Sequence, residues 1–363
     1  MKILHTESSS GWGGQEIRIL KESLGMRTRG HTCFFAIAKG GGLVAKAAAE
    51  GFSVTELSFK RPQAFKVIWQ LVNLIRKEGI DLVVTHSSLD AWLGGIAARL
   101  TRTPVMRMRH LSTPIRSGLN SHLLYRGLAD FVVTTSELAA KMIIAQAKRT
   151  PSTCISVPTG VETEVLAVKP EEAREFRKKI GVLSEECLVG SVCFVRSWKG
   201  IGDFLRAAAL LKEEKWIKWV VVGGGYVDQY KPLAKELGVE GSVIFTGHLE
   251  SPFAAMAALD IFALLSTAHE GVSQASLQAA YLQKPLITTP TGGLPEVCIH
   301  GETGIIVPPF SAEQVAEAVK KLASDASLRK RFGQNAHSLV QEKFTLPSTL
   351  SQMESIYLSL SRA

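Results

Sequence analysis

Short apolar runs alternate along this chain with longer stretches whose apolar residues recur at helical spacing, and the alternation occurs twice. In the first half the runs fall at 2–6, 33–38, 54–57, 81–85, 105–108, 131–135 and 154–157. Turn residues bound them, so they read as buried strands. Helical spacing lies between them at 15–29, 65–78, 90–100 and 137–147. The second half repeats the scheme. Strands are predicted at 188–194, 218–222, 243–246, 261–265, 285–288 and 305–307, and helices at 200–212, 229–237, 274–283, 312–324, 328–342 and 346–360. Strands that are apolar throughout must be covered on both faces, which parallel sheets flanked by helices achieve. The expected fold class is therefore α/β, with two doubly wound Rossmann-like domains facing a central cleft, where ligands of such sheets sit.

The break between domains is expected in 158–179, where Thr159-Gly160-Val161 follows a strand and a charged stretch, 169–179, comes next. This gives a first domain at 1–162, a second at 163–345, and a C-terminal helix at 346–363 that packs back on the first domain. A length of 363 residues suits two domains.

Composition excludes several classes. With 46% hydrophobic and 21% charged residues the chain can bury a core and is not disordered. The 31 glycines follow no period, which excludes a collagen-like chain. No apolar run, IFALL at 261–265 among them, comes near the ~18–20 residues that cross a bilayer. The start, MKILHTESSSGWGG, has no apolar h-region, so no secretory signal is expected. Five scattered cysteines without a C-x-x-C pair read as reduced thiols of a cytoplasmic protein.

Charge is unevenly placed. Residues 1–165 hold 21 Lys+Arg against 12 Asp+Glu, and residues 166–363 hold 21 of each, so the first half carries the whole net charge of +9. The basic set includes Lys60, Arg61, Lys66, Arg76, Lys77, Arg99, Arg102, Arg107, Arg109, Arg116 and Arg126. It suits an anionic partner: a membrane surface or an acidic substrate. A plain solvated basic surface accounts for it equally well. Nucleic acid is disfavoured, because no zinc-finger or RNA-binding signature and no dense basic run with interleaved aromatics is present.

Glycine-rich turns mark candidate sites. Ser8-Ser9-Ser10-Gly11-Trp12-Gly13-Gly14 lies between a strand and a helix, where free backbone N–H groups suit a phosphate, or where glycine serves only the turn. Neither G-x-G-x-x-G nor a P-loop is present. The second domain opens alike, with Val195-Arg196-Ser197-Trp198-Lys199-Gly200 after its first strand. Arg196 and Lys199 there read as phosphate ligands or as solvated charges. Gly223-Gly224-Gly225 follows the next strand, as a ligand loop or as a plain connection. Glu270 stands just before a helix, where a lone carboxylate ordinarily caps. Gln278 lies eight residues on, and Gly292-Gly293-Leu294-Pro295-Glu296 follows another strand.

Taken together, GGQEIRILKESLGMRTRGH, RMRHLSTPIRS, VVTTSE, VRSWKGIGDFLRAA, VVVGGG, FTGHLE and the stretch from Asp260 to Pro308 resemble the retaining, nucleotide-sugar-dependent glycosyltransferases of family 4, which have the GT-B fold. The resemblance covers nearly the whole chain in order. It implies an acceptor-binding first domain and a second domain for the nucleotide sugar. It assigns Gly13 and Gly14 to the loop near the donor phosphates and His110 to the vicinity of the donor sugar. Arg196 and Lys199 match the basic pair on the diphosphate, although the family's Arg usually stands five residues before the Lys, where Phe194 is found here. Glu270 matches the first Glu of the E-x7-E motif, which contacts the sugar. Gly271, Val272 and Ser273 would offer N–H groups to the diphosphate, with Gly224 and Gly247 also on the donor side. The second Glu of the motif, which receives the ribose hydroxyls, is replaced by Gln278. Its amide presents one acceptor and one donor group. A second departure is Thr159-Gly160-Val161-Glu162, where N-G-V-D is commoner.

The implied reaction moves a sugar from a nucleoside diphosphate to an acceptor hydroxyl with no metal or other cofactor, and no D-x-D element is present. The basic first half suggests an acceptor that is a lipid-linked saccharide or envelope glycolipid, reached from the cytoplasmic face of a membrane. A nucleotide-sugar 2-epimerase of the same architecture and a non-catalytic nucleotide-binding member are the alternatives. An NAD-dependent dehydrogenase is disfavoured by the missing dinucleotide fingerprint, and a two-carboxylate hydrolase by the missing second acid.

Overall fold

The computed structural model describes residues 1–110, 114–115 and 118–361. Arg116 and the Leu111-Ser112-Thr113 part of the RMRHLSTPIRS segment lie outside the described residues. The chain divides into two units, Met1–Thr159 with Pro347–Ala363, and Gly160–Leu346.

The first unit is built on seven strands: β1 (Lys2–Glu7), β2 (Thr32–Ala38), β3 (Ser53–Leu57), β4 (Leu82–Thr85), β5 (Val105–Arg109), β6 (Phe131–Thr134) and β7 (Cys154–Ser156). Its helices are α1 (Gly14–Thr28), α2 (Gly42–Ala49), α3 (Ala64–Glu78), α4 (Ser88–Thr101), α5 (Leu119–His122) and α6 (Glu137–Ala147). The sheet order is β3-β2-β1-β4-β5-β6-β7, and every pairing is parallel. The order reverses between β1 and β4, which marks the switch point at which ligands of such sheets are held. Helix α2 was not expected, because Lys39-Gly40-Gly41-Gly42 before it reads as a turn; Gly41 caps it and Leu43 and Ala47 bury it.

The second unit carries α7 (Pro170–Lys179), β8 (Cys187–Val192), α8 (Ile201–Leu210), β9 (Ile217–Val222), α9 (Lys231–Glu236), β10 (Val243–Gly247), α10 (Phe253–Ala257), β11 (Ile261–Leu264), α11 (Gln274–Tyr281), β12 (Leu286–Thr288), β13 (Gly304–Ile306), α12 (Ala312–Ser324) and α13 (Ala326–Lys343). Its sheet, ordered β10-β9-β8-β11-β12-β13, is also parallel throughout. Successive strand residues go to opposite cores. Val189, Trp219, Val221, Ile261 and Ala263 pack with Phe204 of α8 and Val319 of α12. Leu188, Val220, Val222, Phe262 and Leu264 pack with Met256, Leu277 and Val340 on the other face. This two-sided burial is why the strands read as unbroken apolar runs. At the switch point β8 pairs with β11 only through Ile261↔Val189 and Phe262↔Gly190, so the ladder between them stops short of their carboxyl ends.

The chain then returns to the first unit. Helix α14 (Leu346–Ser361) buries Leu350, Met353, Ile356 and Tyr357. Glu354 accepts from Arg29 Nη1 at 2.6 Å and pairs with His31 Nε2 at 2.9 Å, and Thr349 donates to the Pro158 carbonyl at 3.0 Å. A side chain at Gly25 of α1 would come within 2.3 Å of Leu350.

Candidate active site

In the second unit the loops after β8 and β11 meet at the switch point. After β8 the chain makes a single turn, Ser197–Lys199, and enters α8 through Gly200 in the left-handed region, φ 71°. A Cβ at Gly200 would lie 2.1 Å from the Leu265 carbonyl oxygen. Only glycine permits both this φ and this approach. The contact brings the turn against the end of β11, where Thr267 N–H donates to the Trp198 carbonyl at 2.8 Å. On the far side of the β11 loop stands Gly292, φ 59°, whose Cβ would lie 1.8 Å from the Glu270 carbonyl oxygen. The segment from Leu265 to Glu270 is thus held between two glycine contacts.

Lys199 and Glu270 meet as a result. Lys199 Nζ donates to Glu270 Oε1, and Ser266 Oγ donates to the same oxygen at 2.6 Å. Thr289 fixes Ser266 by donating to its carbonyl. Glu270 is buried, and His269 before it takes a left-handed φ of 59°, a conformation that non-glycine residues hold mainly where surroundings impose it. Helix α11 is capped by Ser273, whose Oγ accepts from Ser276 N–H at 3.4 Å. The capping role open to Glu270 therefore falls to Ser273, and the carboxylate is left for the basic turn.

Arg196 is not brought to Glu270. Its guanidinium carbon lies 4.9 Å from the centre of the Phe194 ring and 5.4 Å from that of Trp198. The cation therefore rests over the residue that occupies the family's usual Arg position. Gln278 is half-buried in α11, without a side-chain hydrogen bond among the described residues. Gly247 lies in open space at φ 71°. The glycines after β9 serve close packing: a Cβ at Gly223 would strike the Cys193 carbonyl at 1.9 Å, and one at Gly225 the Val195 carbonyl at 2.4 Å. A Cβ at Gly224 would meet His248 at 3.3 Å.

Gly13, Gly14 and His110 belong to the first unit. The expectation of free N–H groups in the first glycine loop needs correction at Gly13. Its N–H donates to Glu16 Oε2 at 2.9 Å, closing the start of α1, and Gly11 N–H donates to Ser9 Oγ at 3.1 Å. Nothing lies within 4 Å of a Cβ at Gly14. His110 follows β5 and forms a stacked row with His86 and His5. His86 Nδ1 is 3.0 Å from His110 Nε2, and His5 Nδ1 is 3.0 Å from His86 Nε2. Burial keeps all three rings neutral by pushing their pKa values below the ordinary range, to about 4 for His5. His5 Nε2 is buried without a partner. An orphaned N–H there costs more than an empty acceptor, so the row runs His5 to His86 to His110 and leaves the His110 proton on Nδ1.

Glu7 closes this region. Its carboxylate accepts from Ser9 N–H at 2.6 Å, Ser87 Oγ at 2.5 Å and Gln15 Nε2. Burial, then the neighbouring Asp90, raises its pKa to about 7. Neither Glu7 nor His86 was singled out in the sequence, although His86 follows its strand as His110 does. Ser266 and Thr289 were missed as well, and their only signal is position at strand ends. Among the described residues no three His, Cys, Asp or Glu side chains gather to hold a metal ion.

Residues 12–165 match the family described as Glycosyltransferase Family 4, and residues 172–339 match Glycosyl transferases group 1. The chain is 25% identical over 309 residues to the capsular polysaccharide biosynthesis glycosyltransferase CapM of Staphylococcus aureus, covering 80% of each. Its fold is that of a glycosyltransferase from Rickettsia africae, with a TM-score of 0.89 at 21% identity over 99% of this chain and 98% of the other. It is also that of Anabaena HepE in complex with UDP, with a TM-score of 0.87 at 21% identity over 99% and 100%.

Proposed function

We infer a specific reaction from one premise: the chain belongs to the GT-B glycosyltransferases of the family-4 kind. The reading is a retaining transfer of a sugar from a nucleoside diphosphate to an acceptor hydroxyl, with no metal. The Lys199–Glu270 pair at the switch point of the second sheet carries it. Departure of a nucleoside diphosphate builds negative charge, which fixed donors stabilise without reorganisation. Lys199 and Arg196 supply cations for it, and the N–H groups of Gly271, Val272 and Ser273 lie at the start of α11, where the helix favours an anion. Glu270 orients sugar hydroxyls and is not the nucleophile. In the step proposed, the bond from the anomeric carbon to the diphosphate breaks and the bond to the acceptor oxygen forms on the same face. The acceptor's proton passes to a phosphate oxygen. On this reading Gln278 takes a ribose hydroxyl and Gly224 and Gly247 serve the donor in the second unit, while Gly13, Gly14 and His110 of the first unit keep the donor-side roles that the family resemblance implies.

The acceptor proposed is a lipid-linked saccharide or an envelope glycolipid or polysaccharide. The capsular polysaccharide relative supports this, and so does one face of α3. Phe65 and Trp69, one helical turn apart, are 90% and 66% exposed beside Lys60, Arg61 and Lys66. Exposed aromatic residues at the start of a surface helix, with basic residues on it and on the turn before it, suit the interface of an anionic membrane. No helix among the described residues is long and apolar enough to cross one. The test is a donor panel. Uridine, guanosine and adenosine diphosphate sugars are each titrated by calorimetry and assayed for transfer, and product stereochemistry is read by NMR. UDP-sugars come first, since UDP is bound by the Anabaena protein. Inversion at the anomeric carbon, or activity that disappears with chelator, would reject the mechanism.

A further inference from the structure

The first unit holds a cavity of about 370 Å³ at the carboxyl ends of β4 and β5, lined by His86, Ser87, Ser88, Arg107, Arg109 and His110 among others. No Asp or Glu stands among its described lining residues. Arg107 is only 4% exposed. Its one side-chain hydrogen bond among the described residues runs from Nη1 to the Ser87 carbonyl at 2.9 Å, and its Nε–H is buried without a partner. The guanidinium carbon lies 4.8 Å from the centre of the Tyr125 ring. Arg109 adds a second cation 5.9 Å from the same ring and donates to the Tyr125 hydroxyl at 2.9 Å. The nearby carboxylate that feels Arg107, Asp90, is already engaged by the hydroxyls of Thr6 and Ser8 and the N–H groups of His86 and Ser87.

A buried guanidinium without a bonded carboxylate is costly, and a bound oxyanion completes its shell. Burial keeps His86 and His110 neutral, so the positive charge of the lining belongs to the two arginines. Ser88 adds an exposed hydroxyl at the first position of the 14-residue α4, the positive end of that helix. The geometry points to an oxyanion subsite: the cavity takes a phosphoryl or carboxyl group of the acceptor, held by Arg107 and Arg109 with the Ser88 hydroxyl. This deepens the reading of the first unit as the acceptor side and rests on it. Anion binding is measured without donor or turnover, so the two can fail separately.

Inorganic phosphate and malonate are titrated by calorimetry into the full-length protein as wild type, Arg107→Gln, Ser88→Asp and Lys199→Ala. Binding is expected in wild type and Lys199→Ala, and about tenfold or more weaker in the other two, the size of one lost charge-assisted hydrogen bond. A carboxylate is favoured at a helix start, so Ser88→Asp keeps the test valid if Arg107→Gln fails to fold. Undetectable binding to wild type, equal binding by all four proteins, or a loss confined to Lys199→Ala overturns the proposal. Phosphatidylglycerol vesicles identify the source of the group once the titration has located it. If a lipid headgroup fills the cavity, Ser88→Asp lowers the vesicle-bound fraction; if a soluble acceptor does, that fraction is unchanged.

Discussion

Removing the Lys199 ammonium takes a donor from a buried carboxylate and, on the proposed reading, a cation from the leaving diphosphate. Lys199→Ala and Glu270→Ala are each expected to lower transfer about 10²-fold or more, the size of a lost electrostatic or positioning contact in a transition state. Circular dichroism and thermal unfolding should report folded proteins. Wild-type rates from such variants would remove both residues from the site. Gln278 makes a different case. If its amide takes a ribose hydroxyl, Gln278→Glu keeps activity and tightens nucleoside diphosphate binding a few-fold, about the energy of one hydrogen bond. A folded but inactive Gln278→Glu would show that the position serves another end. Of the site residues, Glu270 was legible because its surroundings are a contiguous motif. Ser266 and Thr289 were not, because a short hydroxyl side chain at a strand end gives no pattern until the strands are paired. Gly292 was legible as a motif glycine, but its reason, a carbonyl 1.8 Å from its missing Cβ, exists only in three dimensions.

At the scale of elements, α3 carries its own prediction. Phe65→Ser with Trp69→Ser removes apolar area from a largely exposed face, so stability should stay within about 0.5 kcal/mol. Co-sedimentation with anionic vesicles should fall several-fold, and wild-type binding should weaken with salt. Equal vesicle binding by the variant would detach the helix from any membrane role. Strand positions were legible almost to the residue, because short apolar runs with turn residues on both sides have few other uses. Strand ends were less so: 188–194 was expected where β8 stops at Val192, since the following residues pack through backbone contacts with Gly223 and Gly225. Helix α2 was hidden by three glycines. The charged stretch 169–179 read only as part of the break between domains; it forms α7, which buries no residue fully and rests on the core through Ala173 and Phe176 alone, too few apolar residues to stand out among its charges.

For the whole molecule, pH acts through the buried groups of the first unit. The folded chain keeps His5, His86 and His110 neutral, whereas the unfolded chain protonates them below about 6.5. Their contribution is present above that pH and is lost as pH falls toward 4. Glu7 acts in the opposite sense. Its folded pKa of about 7 lies above the ordinary 4.5, so its contribution is present below about 4.5 and is lost as pH rises through 7. Glu7→Gln should therefore raise the melting temperature more at pH 8 than at pH 5, and an equal change at both would refute the raised pKa. The return of the chain through α14 has a consequence for biosynthesis. On a translating ribosome the first sheet emerges early but lacks its covering helix until the whole of Gly160–Leu346 has been made. At ordinary elongation speeds that interval lasts roughly 10–40 s. The surface of α1 around Gly25 is open throughout it, and the N-terminal unit, first to be synthesised, is the last to be finished.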